Sequence, residues 1–275
     1  VAHKTSSLRP EGTRGKGTLI IIGGHEDHEG EREILREVAK HVRNKRLVLS
    51  TIASHKPEGY LEKYQTTFGE LGVTEVTELY VEDRAEAAME EKLAALDGVE
   101  AVFFSGGDQL RITSQIGDTP IEQRVHEIFQ NGGLIAGTSA GASMMADTML
   151  VKGQSAASFR IGEVHMAPGL GLLPNVIIDQ HFAERGRIGR LIGAVSQNPR
   201  VLGIGIDEDT AIVVEGHRFR VIGSGAVYLV DASDVTHSNV AEAETAAALS
   251  IYDLRLHVLS AGDAFDLETR RPELA

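Results

Sequence analysis

Ser139 stands in Gly137-Thr138-Ser139-Ala140-Gly141, between the apolar run 134–136 and a helix-compatible stretch over 142–149. A strand that feeds a helix through a sharp turn needs small residues on either side. The turn lifts one hydroxyl clear of the sheet, beside the amides that open the helix. The pattern is that of a nucleophile elbow. Its chemistry is acyl transfer, in which the hydroxyl attacks a carbonyl and nearby N–H groups hold the oxyanion. The same letters fit a tight Gly-Ser turn that packs a helix on a strand, so the elbow has to be judged by its partners.

A serine hydroxyl is a poor nucleophile until a base takes its proton. Among the 11 histidines, His181 is the best candidate: it lies in Asp179-Gln180-His181-Phe182, just after the β-type run 176–178. The carboxyl end of a parallel strand would bring it to the edge that carries Ser139. A third group should orient the imidazole, and Glu208, in Gly205-Ile206-Asp207-Glu208-Asp209 after the run 201–206, is placed for it. Asp207, Asp209 and Asp179 are rivals that spacing does not separate.

Three other groups bear on the site. Ser105-Gly106-Gly107-Asp108-Gln109 is a second glycine turn after the run 99–104, and Gly107 can lend a backbone amide to an oxyanion hole. Arg185, Arg187 and Arg190 form a dense cationic group in an acidic chain; guanidinium groups suit bidentate capture of carboxylates, which points to an acidic substrate group. Gly23-Gly24-His25-Glu26-Asp27-His28-Glu29 looks like a metal cluster, but its residues share one loop without HExxH spacing, and no metal is expected. The dinucleotide fingerprint G-x-G-x-x-G is missing after the first strand.

The elements that must position these groups are legible as periodic runs. Short apolar runs at 19–22, 47–53, 76–79, 99–104 and 134–136 alternate with helical patterns at 31–42, 58–71, 85–96 and 120–129. Regular βα alternation predicts a parallel sheet with helices on both faces. After Ser139 come β-type runs at 176–178 and 201–206 around a helical stretch 188–196, then closely spaced runs at 211–214, 219–222 and 226–230 joined by Gly-containing turns. The last three read as antiparallel additions to the sheet. The Ala-rich stretch 240–248 reads as a helix or a mobile loop, and residues 1–16 as a loose arm before one α/β domain over 17–275.

Composition narrows the class. A chain of 275 residues that is 42% hydrophobic can bury a large core. Its formal net charge of −13 argues against a nucleic-acid binder, fits plain solubility, and would attract cationic substrates at long range. The absence of cysteine leaves no disulfide, thiolate metal site or cysteine nucleophile. No run approaches the ~18 apolar residues of a membrane span, and the polar, basic start lacks an apolar signal core. A compact, soluble protein is therefore expected, and the missing signal is consistent with the cytoplasmic location that the family resemblance given below implies.

Taken together, Gly106-Gly107-Asp108-Gln109, Gly137-Thr138-Ser139-Ala140-Gly141-Ala142, and Asp179-Gln180-His181-Phe182 followed by Arg185, Arg187 and Arg190 resemble the cyanophycinase family. These are serine peptidases related to aspartyl dipeptidase. The resemblance implies a three-layer α/β sandwich like class I glutamine amidotransferases, with a mostly parallel central sheet and antiparallel strands added in the C-terminal part. It implies hydrolysis of cyanophycin, a polyaspartate whose side-chain carboxyls carry arginine, to β-Asp-Arg dipeptides, with no cofactor and as a homodimer. On that resemblance Ser139 is the nucleophile, His181 the base and Glu208 its orienting acid. Amides of Gly107 or Asp108 and of Ala140 hold the oxyanion. Gln109, Asp179, Gln180, Arg185, Arg187 and Arg190 recognise the dipeptidyl unit, arginines taking its carboxylate and acids its guanidinium. The alternatives are an aspartyl dipeptidase acting on Asp-X α-peptides and a catalytically silent binding module. An α/β-hydrolase esterase is disfavoured because such chains place the acid before the histidine.

Overall fold

Apolar runs with period-2 alternation become strands whose two rows of side chains face opposite ways, and both rows are buried here. In chain order the strands and helices begin β1 (Thr18–Ile22), α1 (Glu33–His41), β2 (Arg46–Ser50), α2 (Tyr60–Glu70), β3 (Glu75–Leu79), α3 (Glu90–Ala94) and β4 (Ala101–Phe104). They continue with α4 (Gln109–Ile116), α5 (Pro120–Gln130), β5 (Leu134–Thr138), α6 (Ala140–Ser143), β6 (Thr148–Lys152) and β7 (His165–Pro168). Next come β8 (Val176–Gln180), α7 (Ile188–Gln197), β9 (Leu202–Ile206), β10 (Thr210–Glu215), β11 (Arg218–Gly223) and β12 (Val227–Asp231). The last are β13 (His237–Ser238), β14 (Ile251–Tyr252), β15 (Arg255–Leu259), β16 (Ala264–Asp266) and β17 (Arg271–Glu273). This computed structural model describes residues 17–42, 44, 46–152, 160–162, 164–242, 244 and 247–273. The arm expected over 1–16 lies outside them.

The main sheet has 9 strands in the order β17-β16-β11-β10-β1-β5-β4-β2-β3. Strands β3, β2, β4, β5 and β1 run parallel, and β10, β11, β16 and β17 extend the sheet antiparallel. A second sheet of 4 strands, in the order β15-β12-β9-β8, pairs β8 with β9 in parallel and β12 and β15 antiparallel. The mixed α/β class expected from the periodic runs is the one observed. Two details differ. The run 226–230 joins the second sheet instead of the first, and so do the strands that precede His181 and Glu208. The stretch 142–149 is not a helix: α6 ends at Ser143, and Thr148 already begins β6.

Alternation divides the core into layers. Ile20, Ile22, Leu49 and Phe103 pack with Ile34, Leu35 and Val38 of α1 and Phe68 of α2. Leu19, Ile21, Val102 and Ile135 face the other way, onto Ile112 of α4, Val125 of α5, and Ile204 and Leu229 of the second sheet. The far side of that second sheet is closed by Leu191, Ala194 and Val195 of α7. The described residues of 240–248 form turns and an isolated bridge from Ala248 to Arg160, without a helix; residues 243, 245 and 246 lie outside them. No helix of the described residues is long and apolar enough to cross a membrane.

Candidate active site

At the carboxyl end of β5 the chain turns through Ser139, which takes φ 53 and ψ −110. Such a conformation is costly for a residue with a Cβ and persists only where its surroundings over-determine it. Here its N–H donates to Ile22 O at 3.1 Å, and its carbonyl accepts from the amides of Ala142 and Ser143 at 3.0 and 3.1 Å. The flanking glycines are required by contact. A Cβ on Gly137 would come within 2.3 Å of Gly141 O, and one on Gly141 within 2.3 Å of Phe104 O. The helix that follows is a single turn of 4 residues, so the elbow is held by the loops around it more than by a long helix.

Ser139 Oγ lies 3.0 Å from His181 Nε2, and His181 Nδ1 lies 2.6 Å from Glu208 Oε1. His181 follows β8 and Glu208 follows β9, so adjacent parallel strands of the second sheet deliver both. The backbone N–H of His181 donates to Gly23 O at 2.8 Å. Its ring lies so close to Gly24 that a Cβ there would approach Cε1 to 2.3 Å. The rival acids are used elsewhere: Asp207 accepts from the amides of Ala183 and Ala226, and Asp209 from the amide of Asp27 and the hydroxyl of Ser224. Burial pushes the His181 imidazole below its ordinary value, opposed by the hydrogen bond to Glu208. The ring is therefore neutral and able to accept a proton at neutral pH.

The glycine turn after β4 sits against the elbow; a Cβ on Gly106 would lie 3.4 Å from Ser139 Cβ. Among the described residues, the amides of Gly107 and Ala140 donate to no other group. Asp108 corrects an expectation. Its N–H donates to Ala53 O at 2.9 Å, so that amide is not open to an oxyanion, and its side chain caps α4 at the amide of Leu110.

The residues expected to recognise substrate separate into two sets. Arg185 is exposed beside His181, and Gln109 is half-buried with its amide on Leu150 O at 2.7 Å. Asp179, Arg187 and Arg190 close on one another instead. Asp179 is 0% exposed; Arg190 Nε donates to its Oδ2 at 2.6 Å, Arg190 Nη2 to its Oδ1, and Arg187 Nη1 to its Oδ1 at 3.3 Å. Arg187 also donates to the Gln180 side chain at 2.8 Å. The reading of Asp179 as a direct partner for a substrate guanidinium is thus corrected: both of its oxygens are taken by buried arginines, which a buried carboxylate needs.

Two residues of the loop after β1 belong to the site and were not singled out by spacing. His25 Nδ1 lies 2.9 Å from Glu208 Oε2. Glu26 is buried and accepts from Thr138 Oγ1 at 2.6 Å and from the Tyr64 hydroxyl at 2.7 Å. The run His25-Glu26-Asp27-His28 was visible as a cluster, but nothing in it names partners so far along the chain. His25, His181 and Glu208 each offer one ligand-type atom within 4.8 Å of the others. Both Nδ1 atoms lie within hydrogen-bond distance of Glu208.

The family model described as "Peptidase family S51" matches residues 19–222. A cyanophycinase from Synechococcus elongatus is 41% identical over 260 residues, spanning 93% of this chain and 81% of the relative. One from Trichormus variabilis is 40% identical over 259 residues, spanning 93% and 87%. Among solved structures, a peptidase from an acI-B1 Actinobacterium superposes with a TM-score of 0.69 at 20% identity, covering 92% of this chain and 98% of that one. That last likeness is one of fold.

Proposed function

The chain belongs to peptidase family S51 and is a serine-type peptidase, and we propose from this premise that it hydrolyses cyanophycin to β-Asp-Arg dipeptides through an acyl-enzyme. The observation that carries the reading is the hydrogen-bonded line from Ser139 through His181 to Glu208, in a chain so similar to cyanophycinases. Ser139 Oγ attacks the backbone aspartyl carbonyl as His181 Nε2 takes its proton. Glu208 holds the imidazole by Nδ1–H and stabilises the imidazolium. The amides of Gly107 and Ala140 hold the oxyanion. Collapse of the tetrahedral adduct breaks the C–N bond, His181 protonates the leaving amine, and a water deprotonated by His181 then releases the acyl group. Arg185 takes a substrate carboxylate, with Gln109 and Gln180 beside it. The buried Asp179–Arg187–Arg190 group holds the Gln180 side chain through Arg187.

The test is release of β-Asp-Arg from cyanophycin by the protein and by Ser139→Ala, with an Asp-Leu α-dipeptide alongside. Cleavage of the polymer by the parent and not by the variant supports the reading. Cleavage of the α-dipeptide alone moves the assignment to an aspartyl dipeptidase, and polymer cleavage that survives in Ser139→Ala overturns the mechanism. The resemblance also supports a cytoplasmic homodimer; a monomer in sedimentation equilibrium, or activity recovered outside the cytoplasmic fraction, would remove that part.

A further inference from the structure

As an orienting group, Glu208 carries more side-chain freedom than an aspartate would. A glutamate has one more rotatable bond than an aspartate, and this one sits on a turn with its side chain 25% exposed. Unless something else held it, its carboxylate would sample orientations that do not meet His181. Both of its oxygens are in fact engaged: Oε1 by His181 Nδ1 at 2.6 Å and Oε2 by His25 Nδ1 at 2.9 Å.

Burial does not explain where His25 is. Its side chain is 71% exposed, and its backbone takes φ 48, a region that glycine or asparagine occupies at less cost. Its ring meets that of His181 edge-on, with centroids 5.0 Å apart. The loop that carries it is already the support of the site: Ile22 O receives the amide of Ser139, Gly23 O that of His181, and Gly24 O that of Asp209. A strained, exposed imidazole built on this support and aimed at one carboxylate oxygen is a feature to be explained by function.

We infer that His25 is a further positioning residue of the reaction, one that fixes the Glu208 carboxylate in the orientation that serves His181. His25 Nδ1–H donates to Oε2 and leaves Oε1 to His181. It acts through Glu208. The inference rests on the catalytic reading of Ser139, His181 and Glu208 given above.

The test measures Ser139 reactivity in two ways: the rate of labelling by a fluorophosphonate probe, which needs no natural substrate, and kcat and KM on cyanophycin. Parent, His25→Ala, His25→Gly, His25→Asn and Ser139→Ala are compared, each with its thermal unfolding midpoint. In His25→Ala and His25→Gly, labelling rate and kcat should fall about tenfold, the loss expected for one hydrogen bond to a charged group, with KM unchanged. His25→Asn should recover most of both rates, because asparagine accepts a positive φ and its side-chain amide can donate to Oε2. His25→Gly relieves the backbone strain, so it remains informative where His25→Ala unfolds. Unchanged rates in His25→Gly overturn the inference, as does a rise in KM at constant kcat, which would make His25 a substrate contact. An asparagine variant no faster than glycine overturns it too. Labelling that persists in Ser139→Ala instead overturns the catalytic reading itself. A parent that labels but leaves cyanophycin intact overturns only the substrate, and the His25 comparison is then read from labelling.

Discussion

Thr138 Oγ1 donates to Glu26 Oε2 at 2.6 Å, and so a buried carboxylate is tied to the residue that immediately precedes the elbow serine. Burial opposes the charge on Glu26. The hydrogen bonds from His28, Thr138 and Tyr64 outweigh it and hold the carboxyl at about 2, below its ordinary 4.5. A carboxyl lowered on folding contributes stability above its unfolded value, and that contribution is lost as pH falls from there toward the folded value. Glu26→Gln should therefore lower the unfolding free energy by about 2–3 kcal/mol at neutral pH in a urea titration. The gap should narrow as pH falls below 4.5 toward 2. A constant gap across that range would show that the loss comes from shape and not from charge.

Gly24 sets the position of the His181 imidazole from below. Gly24→Ala puts a Cβ about where the His181 ring now lies, 2.3 Å from Cε1, at a backbone φ of 107 that alanine tolerates poorly. The ring is pinned by Ser139 and Glu208 and has no free end to swing away. Displacement by about an ångström should lower kcat on the order of a hundredfold. A variant with parental kcat would mean that the loop yields in place of the ring.

Activity should fall on the acid side with the titration of His181. Its protonated form cannot accept the Ser139 proton, and burial, with smaller contributions from Arg185 and His25, lowers it below 6.5 despite Glu208. The acid limb of kcat/KM should accordingly have its midpoint below 6.5. Glu208→Gln removes the group that raises it, moving the limb further down in pH and reducing kcat by about 10³–10⁴-fold. A limb that stays in place in Glu208→Gln would assign the titration to another group.

The Asp179 cluster should report on stability before activity. Asp179→Ala leaves the guanidinium groups of Arg187 and Arg190 buried without their carboxylate. The expected loss is about 3–5 kcal/mol in chemical denaturation. Loss of activity at parental stability would instead return Asp179 to the substrate.

Legibility followed locality. The parallel strands were visible because apolar alternation and glycine turns are properties of a few consecutive residues. The elbow was visible because Gly137, Ser139 and Gly141 stand within five consecutive residues, although Gly141 is demanded by its contact with Phe104 of β4. Ser139, His181 and Glu208 were each visible at the carboxyl end of a strand, although those strands lie in two sheets. Which acid faces His181 was decided only in three dimensions: Asp207, Glu208 and Asp209 are consecutive, and side-chain direction, invisible in spacing, sends just the middle one to Nδ1. Tertiary structure alone also turned Asp179 inward onto Arg187 and Arg190, engaged the amide of Asp108, and folded the β1 loop so that His25 and Glu26 reach Glu208 and Thr138. The contacts of Ser139 and His25 with His181 and Glu208 depend on how strands of two different sheets pack side by side, a relation set by the whole core and carried by no single stretch of the chain.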